Sequence, residues 1–477
     1  ILFLLLLDIH VISIISKLQY IAVLNVKRFI IHSFGCQMNA LDSERIGDML
    51  LAAGWEHAEK EAEADLVLFN TCCVRDSAEK RAIGRLTLLK PWKKQNPNRL
   101  LVLCGCIAQK DGADLLEKIP FLDIVIGTRD YPSLPALLER VAQTSERLAV
   151  TEHIDSQIPD IYIPRANKSL SAFVTVMYGC DNYCSYCIVP HVRGREVSRE
   201  KKSIINEIRA LAKSGVKETT LLGQNVNSYK DAESGADFAD LLSGVNDISG
   251  IERIRFTTSH PKDVSPKLIC AMANLEHVCE HFHLPAQSGA DAVLNRMNRK
   301  YTRDDYLNLA ARIRAEIPNV VLTTDLLVGF PGETNADFQE TLKLCREVRW
   351  DAAFTFIYSV RPGTAAAEYS DNVPLEVKKE RVAELIHLQE KISAEKNASL
   401  IGEILEVLVE RASARNPRDL AGKDRGGRTV VFAGDAMLIG KIVPVRICRS
   451  TAHTLIGEIS SSPAHQITTP DTQKVML

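Results

Sequence analysis

Three cysteines stand close together in the run Cys180-Asp-Asn-Tyr-Cys184-Ser-Tyr-Cys187. Thiolates spaced C-x3-C-x2-C can wrap one face of a [4Fe-4S] cluster, and the lack of a fourth cysteine leaves one iron open to an exchangeable ligand. An open position marks a metal site that does chemistry rather than one that staples a fold. A zinc knuckle is the structural alternative, but His191 is the only fourth ligand nearby. The aromatic Tyr186, just before the third cysteine, favours the cluster. A second trio, Cys36, Cys72 and Cys106, is scattered in sequence, yet each member follows a short apolar run. If those runs are neighbouring parallel strands, the three thiols converge at one edge of the sheet, where doubly wound folds hold their ligands. The competing reading is three ordinary buried thiols. Cys73 and Cys104 also compete for the site. On an extended chain Cys104 points to the same side as Cys106 and Cys73 points away from Cys72, so spacing alone leaves the choice open.

The elements that must position these groups follow from the apolar periodicity. Short runs at 29–31, 66–69, 100–103 and 124–126 alternate with helical segments such as 40–53. The pattern predicts an α/β domain over 26–150 with a small doubly wound parallel sheet. Asn39 is its first candidate helix cap, and Gly54 stands just past that helix. Pro159 and Pro164 mark 151–168 as a linker. Six further runs, at 172–177, 219–222, 253–256, 281–284, 320–327 and 353–358, predict an incomplete (β/α)6 barrel over 169–392. The first trio then sits after the first barrel strand, at the end where barrel active sites gather. A long charged helix is expected over 376–400. Alternating segments such as 404–409 and 442–445 predict a small β-barrel over 393–460, and the polar stretch 461–477 is expected to be disordered.

Composition limits the function classes. The chain has 477 residues, 46% of them hydrophobic and 25% charged, with a net charge of -2 and pI near 6.7. Several domains fit in that length, and any nucleic acid must be gripped by a local basic surface rather than a global positive field. Twelve cysteines are too few for a disulfide scaffold in so long a chain. Their clustering points to ligands in a reducing compartment, hence a cytoplasmic location. Residues 1–25 are apolar but interrupted by Asp8, His10 and Lys17, with no secretory-signal layout. The stretch reads as an over-extended start ahead of Val26, with an interfacial anchor as the alternative; no membrane is expected.

Two further patterns invite function. His277, Cys279, His281 and His283 would share one face of a strand and could hold a metal, although barrel alternation explains them more simply. The segment from Arg411 to Arg428 carries Arg411, Arg415, Arg418, Lys423, Arg425 and Arg428 against Asp419 and Asp424. Taken alone such a run is a solvated loop. In a small β-barrel it is expected to contact RNA phosphates through Arg415, Arg418 and Arg428. Cys270, Cys279, Cys345 and Cys448 are read as structural.

The cysteine run resembles the radical S-adenosylmethionine superfamily. With it stand Ser33-Phe-Gly-Cys-Gln-Met-Asn39, Asn70-Thr-Cys-Cys-Val-Arg75, Gly105-Cys-Ile-Ala108, Gly223-Gln-Asn-Val-Asn-Ser-Tyr229, His283-Leu-Pro-Ala-Gln-Ser-Gly289, Gly329-Phe-Pro-Gly-Glu-Thr334 and Tyr358-Ser-Val-Arg-Pro-Gly-Thr364. In this order they resemble the tRNA-modifying methylthiotransferases over 27–460. The resemblance implies two [4Fe-4S] clusters, one on Cys180, Cys184 and Cys187 and one on Cys36, Cys72 and Cys106, with S-adenosyl-L-methionine on the open iron of the former. It implies that Tyr186 touches the adenine of that cofactor, and that Gln224, Ser259, Gln287 and Asp325 bind it. It also implies a C-terminal RNA-binding barrel of the TRAM type. Phe34-Gly-Cys-Gln-Met-Asn39 and Gln224-Asn-Val-Asn-Ser-Tyr229 resemble the branch acting on N6-isopentenyladenosine 37 of tRNA more than the threonylcarbamoyladenosine branch. An electron donor and a sulfur or cluster donor are the further partners implied. The non-enzymatic alternatives are an iron-sulfur electron carrier, which wants four cysteines per cluster, and an RNA-binding protein with structural clusters.

Overall fold

The computed structural model describes residues 26–73, 76–152 and 169–462. The expected N-terminal extension, most of the expected linker and the tail from 463 fall outside the described residues. The chain forms two compact units, one of residues up to Asn167 with Ile188–Arg195, the other of Lys168–Cys187 with the chain from Glu196 onward.

The first unit is built on a sheet of β1 (Arg28–Ser33), β2 (Glu56–His57), β3 (Leu66–Thr71), β4 (Leu100–Gly105), β5 (Ile124–Ile126) and β6 (Leu148–Val150), ordered β2-β1-β3-β4-β5-β6. All its pairings are parallel. A parallel sheet is covered on both faces, which is why β3 and β4 are apolar along nearly their whole length and buried throughout. Alternate residues feed two cores. Val67, Phe69, Leu101, Leu103 and Val125 pack on one face, and Leu66, Leu68, Leu100, Val102 and Ile124 on the other.

Helix α1 (Gln37–Ala52) follows β1 and α2 (Cys106–Asp111) follows β4 directly. The expected cap at Asn39 is corrected: Cys36 is the cap residue, and Asn39 lies inside the first turn, where its side chain is free to bond across the sheet edge. The segment Ile188–Arg195, expected within the barrel, belongs to this unit instead. It contains the short helix α3 (Val189–Arg193), and Ile188 and Val192 are buried in the core with Leu103, Cys106 and Ile107.

The second unit begins with β7 (Ser171–Thr175) and the hairpin of β8 (Met177–Tyr178) and β9 (Val197–Ser198). Then come β10 (Glu218–Leu222), β11 (Arg253–Thr257), β12 (His281–His283), β13 (Val321–Val328) and β14 (Ala352–Ile357). Parallel sheets β11-β10-β7 and β12-β13-β14 are joined by a parallel bridge between Ile254 and Val278, which gives the expected six-stranded incomplete barrel. Ile254, Phe256, Phe282, Leu322 and Leu326 fill the core under the helices. By alternation Arg253, Arg255, His281, His283, Thr323 and Asp325 face the other way.

Helix α4 (Leu375–Ala398) packs on β14 and leads into a closed barrel of β15 (Ile404–Ala412), β16 (Asp419–Asp424), β17 (Thr429–Ala433), β18 (Ile442–Ser450) and β19 (Thr454–Ile459). Its turn between β16 and β17 is gripped at the amino ends of the barrel strands. Arg253 donates to the carbonyls of Lys423 (2.6 Å) and Glu406 (2.9 Å). Arg255 donates to those of Arg425 and Asp424 (both 2.6 Å) and to Glu218 Oε2 (2.8 Å). No helix among the described residues is long and apolar enough to cross a membrane.

Arg255 and Glu218 are both buried. Removing one partner of a buried pair strands the other charge, so Arg255→Ala is expected to cost about 3–5 kcal/mol. A fall in the urea or thermal midpoint checks this, and an unchanged midpoint contradicts it.

Candidate functional site: two sets of three thiols

The first unit brings Cys36, Cys72 and Cys106 together at the carboxyl ends of β1, β3 and β4. Two glycines make the approach possible. A Cβ on Gly35, which has φ of 139°, would run into the Cys72 side chain. Gly105, with φ of 91°, lies so close to β3 that a Cβ would meet Asn70 Oδ1 at 2.5 Å and the Thr71 nitrogen at 2.9 Å. Only glycine takes both the left-handed conformation and the close contact.

Two amides then lock the loops. Asn39 Nδ2 donates to Asn70 Oδ1 and to the Thr71 carbonyl, both at 3.0 Å. Asn70 Nδ2 returns a bond to the Asn39 carbonyl at 2.8 Å, and the Cys36 thiol donates to Asn39 Oδ1 at 3.3 Å. Both asparagines are fully buried, so these bonds are expensive to leave unmade.

Hydrogen bonds join Cys72 to Cys36 and to Cys106. The bond from Cys72 pulls the Cys36 thiol down to about 6, and the Arg193 guanidinium adds to the effect. Cys106 is held well below the ordinary thiol range by bonds from Cys72 and Cys73, against its burial, with Arg193 again helping. Cys72 and Cys73, as donors, are pushed up. Cys73 therefore remains in contact with the set. Cys104 does not join it: the expectation that Cys104 and Cys106 share a side is corrected, because Gly105 turns the chain between them. Cys104 packs with Leu66, Val102 and Ile126 on one face of the sheet, while Cys106 lies in the core of the other.

The second trio lies in the other unit. Cys184 is buried, and Cys180 and Cys187 are half-buried. Their loop is tied down from two distant segments. Ser185 takes bonds from its nitrogen to the Met297 carbonyl (3.0 Å) and from Oγ to the Arg296 carbonyl (2.8 Å), and the Ala366 nitrogen donates to the Ser185 carbonyl (2.7 Å). Buried Arg299 donates from Nη1 to Cys184 Sγ at 3.4 Å, from Nε to Tyr301 Oη and from Nη2 to the Pro285 carbonyl, the last two at 2.9 Å. Tyr186 packs edge-on to Phe330, with ring centres 6.5 Å apart.

Of the remaining expected cofactor residues, Gln224 and Ser259 lie just past the ends of β10 and β11, whereas the strand-end expectation is corrected for Asp325, which lies within β13. Gln224 Oε1 and Ser259 Oγ are buried without a hydrogen-bond partner, as is Thr258 Oγ1, which the sequence reading missed. Gln287 is buried with φ of 68°, and its main chain bridges to β13. Asp325 is partly exposed, 3.6 Å from His283 Nε2. His281 Nε2 and His283 Nδ1 both bond Thr323 Oγ1, at 3.2 and 3.0 Å, so the polar strand face hydrogen-bonds within the barrel. Burial lowers His281 to about 3, which keeps it neutral.

Among the described residues no three His, Cys, Asp or Glu side chains close around a single metal ion. What fits a polynuclear cluster in each unit is the donor set itself, three sulfur atoms with a buried guanidinium beside them. Asp42, Arg193 and Arg299 were not legible as site residues. Only their partners reveal their roles.

In the C-terminal barrel Arg415 and Arg418 are exposed. Arg428 departs from the expectation of a free phosphate contact. Its guanidinium pairs with Asp424 at 2.8 Å and Asp351 at 3.3 Å. Arg425 likewise pairs with Glu280 at 2.7 Å.

Family comparisons agree with this layout. The model described as Radical SAM superfamily matches residues 174–345, that described as Uncharacterized protein family UPF0004 matches 28–127, and the TRAM domain matches 398–460. The tRNA-2-methylthio-N(6)-dimethylallyladenosine synthase of Acetivibrio thermocellus is 48% identical over 438 residues, 91% of this chain and 91% of that protein. The enzyme of the same name from Clostridium botulinum (strain Loch Maree / Type A3) is 48% identical over 437 residues, 91% of this chain and 97% of that protein. Among solved structures, the radical S-adenosylmethionine methyltransferase TsrM from Kitasatospora setae shares the fold at 16% identity, with a TM-score of 0.51 over 72% of this chain and 77% of that one.

The amide lock predicts that Asn39→Ala, which leaves the buried Asn70 Oδ1 without its donor, costs about 1–3 kcal/mol. It should also lower the iron retained at Cys36, Cys72 and Cys106. Iron analysis of the reconstituted variant, in a full-length background lacking Cys180, Cys184 and Cys187, checks this; wild-type retention contradicts it.

Proposed function

We propose a reaction for this chain on the premise that it belongs to the family of tRNA-2-methylthio-N(6)-dimethylallyladenosine synthases, radical S-adenosylmethionine enzymes that modify tRNA. The reaction is conversion of N6-isopentenyladenosine at position 37 of a tRNA to its 2-methylthio derivative. What supports it most is the presence of two separate sets of three thiols, each beside a buried arginine, where an electron carrier would want closed sets of four. The C2–H of adenine offers no acidic proton to a base, so the task demands radical chemistry and a sulfur carrier. When bound, a cluster at Cys180, Cys184 and Cys187 supplies the radical from S-adenosylmethionine, and one at Cys36, Cys72 and Cys106 carries the sulfur.

The chain's own residues orient and exclude. Cys180, Cys184 and Cys187 hold the first cluster in a loop that Ser185, Met297 and Ala366 keep rigid. Gln224 Oε1, Thr258 Oγ1 and Ser259 Oγ have unused hydrogen-bonding capacity beyond β10 and β11, and they serve the polar groups of S-adenosylmethionine. Gln287 and Asp325 complete that rim, and Tyr186 backs the adenine. Arg415 and Arg418 serve the tRNA backbone, whereas Arg428 serves the barrel. An outside electron donor and an outside sulfur or cluster donor complete the set of partners.

Cys180→Ala, Cys184→Ala or Cys187→Ala is expected to abolish S-adenosylmethionine cleavage and to remove about one cluster of iron. Cys36→Ala, Cys72→Ala or Cys106→Ala should keep cleavage and end methylthio transfer. Nucleoside mass spectrometry beside a 5′-deoxyadenosine assay separates the two. The same loss from Cys73→Ala, with Cys72→Ala active, would exchange those two ligands.

Phosphate contacts carry affinity without base selectivity. Replacing Arg415 and Arg418 by Ala should therefore weaken all tRNAs alike and flatten the dependence of affinity on salt by about one to two phosphate contacts. Arg428→Ala should instead lower the melting temperature. Identical salt slopes for the double variant and the wild type would remove this loop from the RNA contact.

A further inference from the structure

Arg193 is buried in the first unit, in α3. Its Nη1 pairs with Asp42 Oδ2 at 2.9 Å, and both side chains are about 5% exposed. The helix that carries it packs on α2, whose first residue is Cys106. Its carbonyl end is clamped: Thr128 Oγ1 donates to the Val192 carbonyl at 2.7 Å and Arg129 Nη2 to the Arg193 carbonyl at 2.8 Å. The guanidinium is thereby held against the thiols, hydrogen-bonded toward Cys106 and acting on Cys36.

The ion pair itself is under-satisfied. Arg193 Nη2 and Asp42 Oδ1 are both buried with no hydrogen-bond partner among the described residues. A buried ion pair is a weak contributor to stability compared with an apolar pair of the same size, and one with an unused donor is weaker still. Arg299 is the contrast: in the other unit it spends its three nitrogens on Cys184, Tyr301 and Pro285. Arg193 therefore keeps a buried donor unspent while its charge acts on Cys106 and Cys36.

We propose that Arg193 is the counter-cation of the Cys36, Cys72 and Cys106 site, positioned by Asp42, and that it favours the more negatively charged state of the group those thiolates hold. This rests on the reading of that site as a cluster site. A cubane on three thiolates is anionic and gains one more negative charge with each electron accepted, so a fixed buried cation stabilises its reduced form. Asp42 opposes the effect, since its carboxylate interacts with Cys106 as well as with Arg193. The two residues thus set the potential in opposite directions. In the test a low-potential one-electron donor, dithionite, supplies the electron.

The experiment uses the full-length chain in a Cys180→Ala, Cys184→Ala, Cys187→Ala background, so that one cluster site remains. The reconstituted protein is titrated anaerobically with mediators while the reduced cluster is followed by electron paramagnetic resonance. Arg193→Gln should lower the reduced-to-oxidised ratio at a fixed poise about tenfold, a negative shift of about 59 mV for one electron. Arg193→Lys, which keeps the charge, should recover most of it, and Asp42→Asn should shift the potential the other way. A purely structural role would not produce opposite signs. If Arg193→Gln fails to retain iron while Arg193→Lys retains it, the charge requirement stands. Equal potentials in all three folded variants, or loss of iron from both Arg193 variants with the circular dichroism unchanged, overturn the proposal. A parent without iron at these thiols overturns the site reading itself, and the inference with it.

Discussion

Sulfur atoms brought side by side repel one another once they ionise, and that electrostatic cost governs much of what surrounds them. It is met locally in each unit. Beside the first set stands Arg193, which helps to hold Cys36 and Cys106 below the ordinary thiol range. Beside the second stands Arg299, bonded to Cys184. Neither arginine could sit there unsupported, so each has its own anchor: Asp42 for one, Tyr301 and the Pro285 carbonyl for the other.

The next demand is rigidity. Thiols arriving from separate strands must be held in register by something other than the strands, and buried side-chain amides do this in the first unit. Asn39 and Asn70 exchange bonds across the sheet edge, and the glycines on either side give them the room. In the second unit the equivalent work falls to main-chain bonds from Ser185. Residues of the sequence motifs also serve as structural supports. Glu333, for example, takes a bond from the Gly329 nitrogen and pairs with Arg381 at 3.0 Å. Tyr358 bonds the Ala366 carbonyl at 2.9 Å, next to the bond that fixes Ser185.

A different use of charge joins the two barrels of the second unit. Arg253 and Arg255 each donate from both terminal nitrogens to carbonyls of the other barrel, and Arg425 and Arg428 return ion pairs to Glu280 and Asp351. Part of the basic run expected to face nucleic acid is thus internal wiring, while Arg415 and Arg418 stay exposed.

The sequence by itself determined the three-part architecture, because helical and strand periodicities and the apolar runs of a parallel sheet are local properties of the chain. It determined the second trio too, since Cys180, Cys184 and Cys187 are neighbours along one loop. The choice among Cys72, Cys73, Cys104 and Cys106 was open to it, because an extended strand sends Cys104 and Cys106 to one side. Only the fold decided Cys104, for the turn at Gly105 moves the two thiols to opposite faces of the sheet. Only the fold could pair Asp42 with Arg193, or spend Arg428 on Asp351, since both contacts join residues far apart in the chain. A charge's role depends on which opposite charge packing brings within a few ångströms, and residue order carries no record of that distance.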